Sequence, residues 1–174
     1  GMRERTIIVN GVSKAYAMTG WRIGFIAAPE WIVKGCNKLQ GQYTSGPCSV
    51  SQKAAEAAYT TSQECVETMR KAFERRRDLI VELAKDIPGL EVNKPEGAFY
   101  LFPKCSSFFG KSYNGKKIEN STDLAMFLLE VGHVATVGGD AFGDPYCFRM
   151  SYATSDDNIR EAMKRIKDTL ALLA

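Results

Sequence analysis

Apolar residues occur in two kinds of run along this chain. Thr6-Ile7-Ile8-Val9 and Arg22-Ile23-Gly24-Phe25-Ile26-Ala27-Ala28 are near-continuous and rich in β-branched side chains, and they stop at Asn10-Gly11 and at Pro29. Such runs, bounded by turn residues, predict buried strands. Elsewhere the apolar positions recur every three or four residues. Pro29-Glu30-Trp31 opens the first such stretch, with proline in the first turn, an acid near the positive end of the helix dipole, and Ile32, Cys36 and Leu39 following at helical spacing. Gly41 to Pro47 is turn-rich and predicts a break, after which Ser49 or Ser51 opens an alanine-rich helix. With Ser62 as N-cap, a seam through Val66, Met69, Phe73, Arg76, Ile80, Leu83 and Ile87 alternates steps of three and four. It predicts one helix of about 25 residues, roughly 37 Å long, stopped by Pro88-Gly89.

Beyond that stop the pattern changes. Leu90-Glu91-Val92 alternates, Lys94-Pro95-Glu96-Gly97 turns, and Ala98-Phe99-Tyr100-Leu101-Phe102 predicts a strand. Phe108 to Asn120 is a polar, glycine-containing loop. Thr122 is the expected cap of a helix over 123–130, with Gly132 at the position favoured for a left-handed cap. His133 to Val137 predicts a strand, Gly138-Gly139-Asp140 a turn, and Cys147 to Tyr152 the last strand. Ser155 caps a final helix whose seam is Ile159, Met163, Ile166, Leu170 and Leu173. Interleaved strands and helices place the chain in the α/β or α+β class. Neither an internal repeat nor a low-complexity tract interrupts it.

Composition narrows the class of protein without choosing a chemistry. The chain has 174 residues, near the length of one ordinary domain, and its 45% apolar content excludes disorder. No apolar run approaches the ~18 residues of a membrane span. The 23 basic and 20 acidic residues leave a net charge of only +3. The densest basic cluster, Arg75-Arg76-Arg77, runs straight into Asp78, which reads as a solvated helix face and not as a nucleic-acid footprint. The five cysteines are scattered without a CxxC pair, and His133 has no partner at metal-ligand spacing, so no metal site and a reducing, cytoplasmic location are expected.

One segment stands out for chemistry. Val12 to Trp21 connects the first two strands and carries Ser13 and Lys14, with Arg22 opening the next strand. A lysine in a turn after a buried strand, flanked by small and apolar residues, is placed for desolvation and attack on a carbonyl. A guanidinium at a strand opening suits a phosphate, which it binds bidentately. Spacing alone leaves the bland reading open, a surface lysine and a strand-end arginine. Arg149 lies between Phe148 and Met150, so alternation sends it to the opposite face from both. Tyr16 and Trp21 read as packing aromatics.

The string Val9-Asn10-Gly11-Val12-Ser13-Lys14-Ala15-Tyr16-Ala17-Met18-Thr19-Gly20-Trp21-Arg22-Ile23-Gly24 resembles the cofactor-lysine signature of class I pyridoxal-phosphate aminotransferases, closest to the prokaryotic aspartate aminotransferase branch. Glu96-Gly97-Ala98-Phe99-Tyr100 is similar to a strand of the family's small domain. Asp140-Ala141-Phe142-Gly143 followed by Phe148-Arg149-Met150-Ser151-Tyr152-Ala153-Thr154-Ser155 matches the family near the other end. Thr136-Val137-Gly138-Gly139 departs from it, standing where the family usually has a proline-containing turn.

The resemblance implies the carboxyl-terminal part of the type I pyridoxal-phosphate transferase fold. Residues 1–61 would be a remnant of the large cofactor-binding domain, 62–87 a long connecting helix, and 88–174 an α+β small domain. The large domain's central parallel sheet would keep only its two strands here. Lys14 would be the catalytic residue, holding pyridoxal 5'-phosphate as a Schiff base and moving the substrate's α-proton. Arg22 and Ser13 would bind the cofactor phosphate, and Arg149 the substrate α-carboxylate. The implied activity is amino transfer between an aspartate-like L-amino acid and a 2-oxo acid, in a homodimer. The turn from Gln40 to Pro47, where some dicarboxylate-specific relatives place an arginine, has none. The acid that partners the pyridine nitrogen precedes the lysine in the family, where this chain has only Arg3, Glu4 and Arg5. The resemblance thus implies a truncated piece that would be inactive alone. Two alternatives accompany this reading: a non-catalytic, dimerising or binding fragment, and a pyridoxal-phosphate lyase on the same fold.

Overall fold

The computed structural model describes residues 1–174. It divides into two units, Gly1–Met69 and Arg70–Ala174, and the division falls inside the long helix that the central seam predicts.

In the first unit, strands β1 (Ile8–Gly11) and β2 (Gly24–Ala27) pair with Ile8 opposite Ala27 and Gly11 opposite Gly24. They run antiparallel, a correction to the expectation of two strands from a parallel sheet. They are also exposed where burial was expected: Val9 is 76% exposed, and Ile7, Ile8 and Phe25 are open as well. The run is composed for cover on both faces, and a two-stranded ribbon offers its residues little. The two backbones meet closely at the end of the ladder. A Cβ on Gly11 would lie 2.9 Å from the Ile23 carbonyl oxygen and 3.1 Å from the Gly24 Cα. Glycine therefore sits at both members of that pair for space.

Helix α1 (Glu30–Tyr43) follows Pro29 and runs through Gly41, three residues into the expected break. A glycine inside a helix costs only about 1 kcal/mol relative to alanine, so the break waits until Thr44 and the left-handed Ser45. Helix α2 (Ser49–Thr60) and helix α3 (Glu64–Lys85) come next, and Ser62 Oγ accepts the Glu64 N–H at 3.3 Å. No helix of the chain is long and apolar enough to cross a membrane.

The second unit contains the later part of α3, then β3 (Tyr100–Leu101), β4 (Ser112–Tyr113), β5 (Lys116–Lys117), α4 (Ser121–Glu130), β6 (Val137–Gly138), β7 (Phe148–Ser151) and α5 (Asp156–Leu170). The antiparallel sheet β3-β7-β6 carries the core, while β4 and β5 form a separate ribbon. Leu101, Phe148 and Met150 point from the sheet into a cluster with Leu79, Ile80 and Ala84 of α3, Leu124 and Leu128 of α4, and the α5 seam. All five seam residues, Ile159, Met163, Ile166, Leu170 and Leu173, are buried, as their spacing predicts. Ser155 caps α5, accepting the Asn158 N–H at 3.2 Å.

Local expectations shift in three places. Asn120, not Thr122, caps α4: it is extended, and its Oδ1 accepts the Asp123 N–H at 2.9 Å. The left-handed residue after α4 is His133, not Gly132. Gly132 is needed for space instead, since a Cβ there would stand 2.6 Å from Thr169 Oγ1. The alternating Leu90–Val92 segment contributes one bridge, between Glu91 and Lys104, and the strand expected over 133–137 is replaced by Val137–Gly138.

The cysteines divide by burial. Burial pushes the Cys105 thiol up to about 12, with Cys147 and Asp144 adding to it. Cys147 is pushed up to about 11 by burial and by its hydrogen bond to Asp144. Cys48 is exposed, and the backbone amides of Ser51 and Val50 at the start of α2 hold its thiol below the usual range. Since thiolates are the reactive species, a disulfide-exchange reagent at about pH 8 is expected to modify Cys48 first, then exposed Cys36 and Cys65. Cys105 and Cys147 should react only after denaturant is added. Peptide mass mapping over a time course checks the order, and early labelling of Cys105 would contradict it.

Candidate functional site

The register of β1 and β2 turns residues 12–23 into a closed loop. Gly11 opposite Gly24 is its neck, with Ser13 and Lys14 just past one side and Arg22 just before the other. The loop is held by its own backbone. Met18 N–H donates to the Ser13 carbonyl at 3.1 Å, Ala17 N–H to the Lys14 carbonyl at 3.2 Å, and Tyr16 N–H to the Val12 carbonyl at 3.3 Å. Ala17 closes this turn in the left-handed region at φ 54°. A short helical turn, Thr19–Trp21, follows and ends on Arg22, also left-handed at φ 50°.

Side chains then fasten the loop to its own unit. Val12 is buried. The Tyr16 hydroxyl donates to Gln63 Oε1 at 2.7 Å, and its ring meets Tyr59 edge-on at 5.2 Å. Tyr16 is thus a packing aromatic, whereas Trp21 is exposed. Arg22 Nη1 donates to the Thr19 carbonyl at 2.8 Å, which ties the guanidinium to the loop. Ser13 is half-buried. Lys14 is exposed, so the desolvation expected from its flanking residues is not provided by this chain's own packing. The physical reason lies in the neighbouring strands, whose apolar faces are open too.

One closed loop thus carries a hydroxyl, a primary amine and a guanidinium. An amine of this kind condenses with a carbonyl, and the other two groups together suit a phosphate.

Arg149 lies in the second unit, on β7. Its neighbours Phe148 and Met150 are buried, and Arg149 projects from the opposite face, as alternation predicts. What the sequence did not assign is the company it keeps there. The guanidinium carbon lies 4.3 Å from the Tyr100 ring centre and 4.1 Å from the Phe142 ring centre. A signal for Tyr100 was available in principle. Leu101 pairs with Met150, so Tyr100 and Arg149 are diagonal neighbours on the other face. Phe142 arrives from a turn and carries no such signal. No three His, Cys, Asp or Glu side chains gather in a way that could hold a metal ion.

A chain of this fold, with this lysine loop and a half-buried strand arginine, belongs to the class I and II aminotransferases, whose family model matches residues 1–166. Among curated relatives it is 48% identical, over 99% of its length, to the bifunctional aspartate aminotransferase and glutamate/aspartate-prephenate aminotransferase of Petunia hybrida. It is also 48% identical, over 95% of its length, to an aspartate aminotransferase of Rhizobium meliloti. It spans only 37% of the first and 41% of the second. Among solved structures, the aspartate aminotransferase from Rhizobium meliloti superposes with a TM-score of 0.95 at 46% identity, covering 99% of this chain and 43% of that one. An aspartate aminotransferase from Thermus thermophilus with maleate gives a TM-score of 0.87 at 36% identity, covering 96% of this chain and 42% of its own.

Proposed function

We propose that this chain carries the cofactor lysine and the substrate-carboxylate arginine of an aminotransferase that moves an amino group between an aspartate-like L-amino acid and a 2-oxo acid. The observation that carries the reading is the closed loop, which joins Ser13, Lys14 and Arg22 in a member of this family. Residues 1–61 would then be part of the large cofactor-binding domain, 62–87 the connecting helix and 88–174 the small domain.

The donor set suits pyridoxal 5'-phosphate at two of its ends. Arg22, tethered through Nη1, keeps other N–H donors for a phosphate, and Ser13 adds a hydroxyl. Lys14 offers its amine to the aldehyde carbon. When bound, the cofactor supplies an electron-accepting ring that stabilises negative charge at the substrate α-carbon. Lys14 Nζ then takes the α-proton and returns it, acting as general base and acid. Arg149 accepts the substrate carboxylate in the plane of its fork. Contacts to the ring nitrogen would come from the larger share of the relatives' length that this chain does not span. The open apolar residues of β1 and β2 favour association, and a homodimer belongs to the same reading.

Nitrogen tracing tests it. The chain is incubated with pyridoxal phosphate, L-aspartate labelled at nitrogen, and 2-oxoglutarate. Label appearing in glutamate supports amino transfer. Label appearing as ammonium overturns it in favour of a lyase. Label remaining in aspartate, with cofactor bound, matches the expectation that the chain is inactive alone and leaves it a binding role.

A further inference from the structure

We propose that Tyr100 and Phe142 are positioning residues for Arg149, holding its guanidinium against their rings so that a carboxylate can approach only along the guanidinium edge. The proposal rests on the reading of Arg149 as the carboxylate-binding residue.

A guanidinium has two faces and one rim of N–H donors. The Arg149 guanidinium carbon lies over two aromatic rings, Tyr100 at 4.3 Å and Phe142 at 4.1 Å, and a planar guanidinium stacks on rings through its faces. No carboxylate of the second unit pairs with it, although other arginines there do pair, such as Arg75 and Arg76 with Asp156. This is an arginine packed on two rings, with a rim that its neighbours do not use. A planar carboxylate fits that rim, because two parallel hydrogen bonds require acid and guanidinium to be coplanar.

Each ring is itself supported. Tyr100 lies 4.6 Å from Phe99, which stacks on Phe73 of α3 at 5.8 Å. Phe142 meets Phe102 edge-on at 6.1 Å. Phe142 ends a short helical turn, Gly139–Phe142, whose first residue donates its N–H to buried Ser121 Oγ at 3.0 Å. The turn then closes on left-handed Gly143. The rings thus arrive from two different elements, and the arginine is held before any ligand binds. Prior ordering of this kind raises affinity by removing the entropy loss that binding would otherwise carry.

The test reads Arg149 directly, by the NMR signal of its side-chain Nε–H in the full chain, assigned by its disappearance in Arg149→Lys. Sodium propionate is titrated at constant ionic strength. In the parent chain the signal should lie upfield, shielded by the two rings, and move saturably with propionate. Phe142→Leu should remove part of the shielding and weaken propionate binding about ten-fold, while Phe142→Trp stays within about two-fold of the parent. Phe142 is 44% exposed, so its replacement leaves the buried core in place, and the backbone amide spectrum verifies this. Equal propionate affinity in Phe142→Leu and the parent would overturn the positioning role and leave Arg149 as a carboxylate ligand. A parent signal that does not respond to propionate would overturn the ligand role, and the positioning role with it.

Discussion

Lys14→Ala is expected to abolish saturable attachment of pyridoxal phosphate to this chain. Many other lysines are exposed, Lys34 and Lys53 among them, and each forms weak, unselective adducts with an aldehyde. Selectivity at Lys14 comes from its loop. The neck at Gly11 and Gly24 keeps Ser13 and Arg22 on the same loop, and on the proposed reading a molecule with a phosphate at one end and a carbonyl at the other would engage all three groups. Without the Lys14 amine the phosphate contacts remain, but no covalent bond forms. Arg22→Ala separates the two contributions. It should weaken binding about ten-fold by removing charge-assisted hydrogen bonds, and leave attachment at Lys14 intact at high cofactor concentration. Visible absorbance on titration, followed by borohydride reduction and peptide mapping, measures both. A reduced adduct at one unchanged site in Lys14→Ala would remove Lys14 from the role assigned to it.

The second large effect concerns stability. Gly139→Ala is expected to destabilise the second unit by about 3 kcal/mol, the upper part of the range for overpacking. A Cβ on Gly139 would overlap the carbonyl oxygens of Asp144 and Cys147, both backbone atoms that cannot rotate away. The neighbourhood is bonded tightly. Gly139 N–H donates to Ser121 Oγ, and its carbonyl accepts the Asp144 N–H at 3.2 Å. Relief would move the turn that carries Phe142, so the Arg149 signal should shift in any fraction that still folds. Gly143→Ala is the control. Gly143 is left-handed at φ 86° with open space around it, so alanine there should cost only about 1 kcal/mol of backbone strain. Urea midpoints for the three proteins measure the difference, and equal losses in the two variants would contradict the steric account.

Much of the fold was legible because it is local. The α5 seam and its Ser155 cap depend on residues three or four apart, and both appear as read. The long helix α3 follows from one unbroken alternation of three and four. Errors fell at element ends, where competing caps lie side by side. Asn120 and Thr122 are both good capping residues, and only the extended backbone at Asn120 selects it. Gly132 and His133 illustrate the same difficulty. Glycine is the usual left-handed residue, but here Thr169, from the far end of the chain, claims the space beside Gly132, and the left-handed turn passes to His133.

The sequence by itself determined the class of fold, the family, the order of the helices and main strands, though not the β4–β5 ribbon inside the loop expected over 108–120, and the string that contains Ser13, Lys14 and Arg22. Those properties are written in short windows, as periodicity, caps and a continuous motif. Only the tertiary structure decided that β1 and β2 pair antiparallel and close the lysine loop at a glycine neck. Only it decided that Gly139 has no room for a methyl group, and that the Tyr100 and Phe142 rings both lie against Arg149. These contacts join residues outside any one helix or strand, from Gly139 and Asp144 within one turn to Tyr100 and Arg149 on different strands. Strand register and close approach create such contacts, and a side chain's neighbours across a sheet leave no periodicity in its own segment.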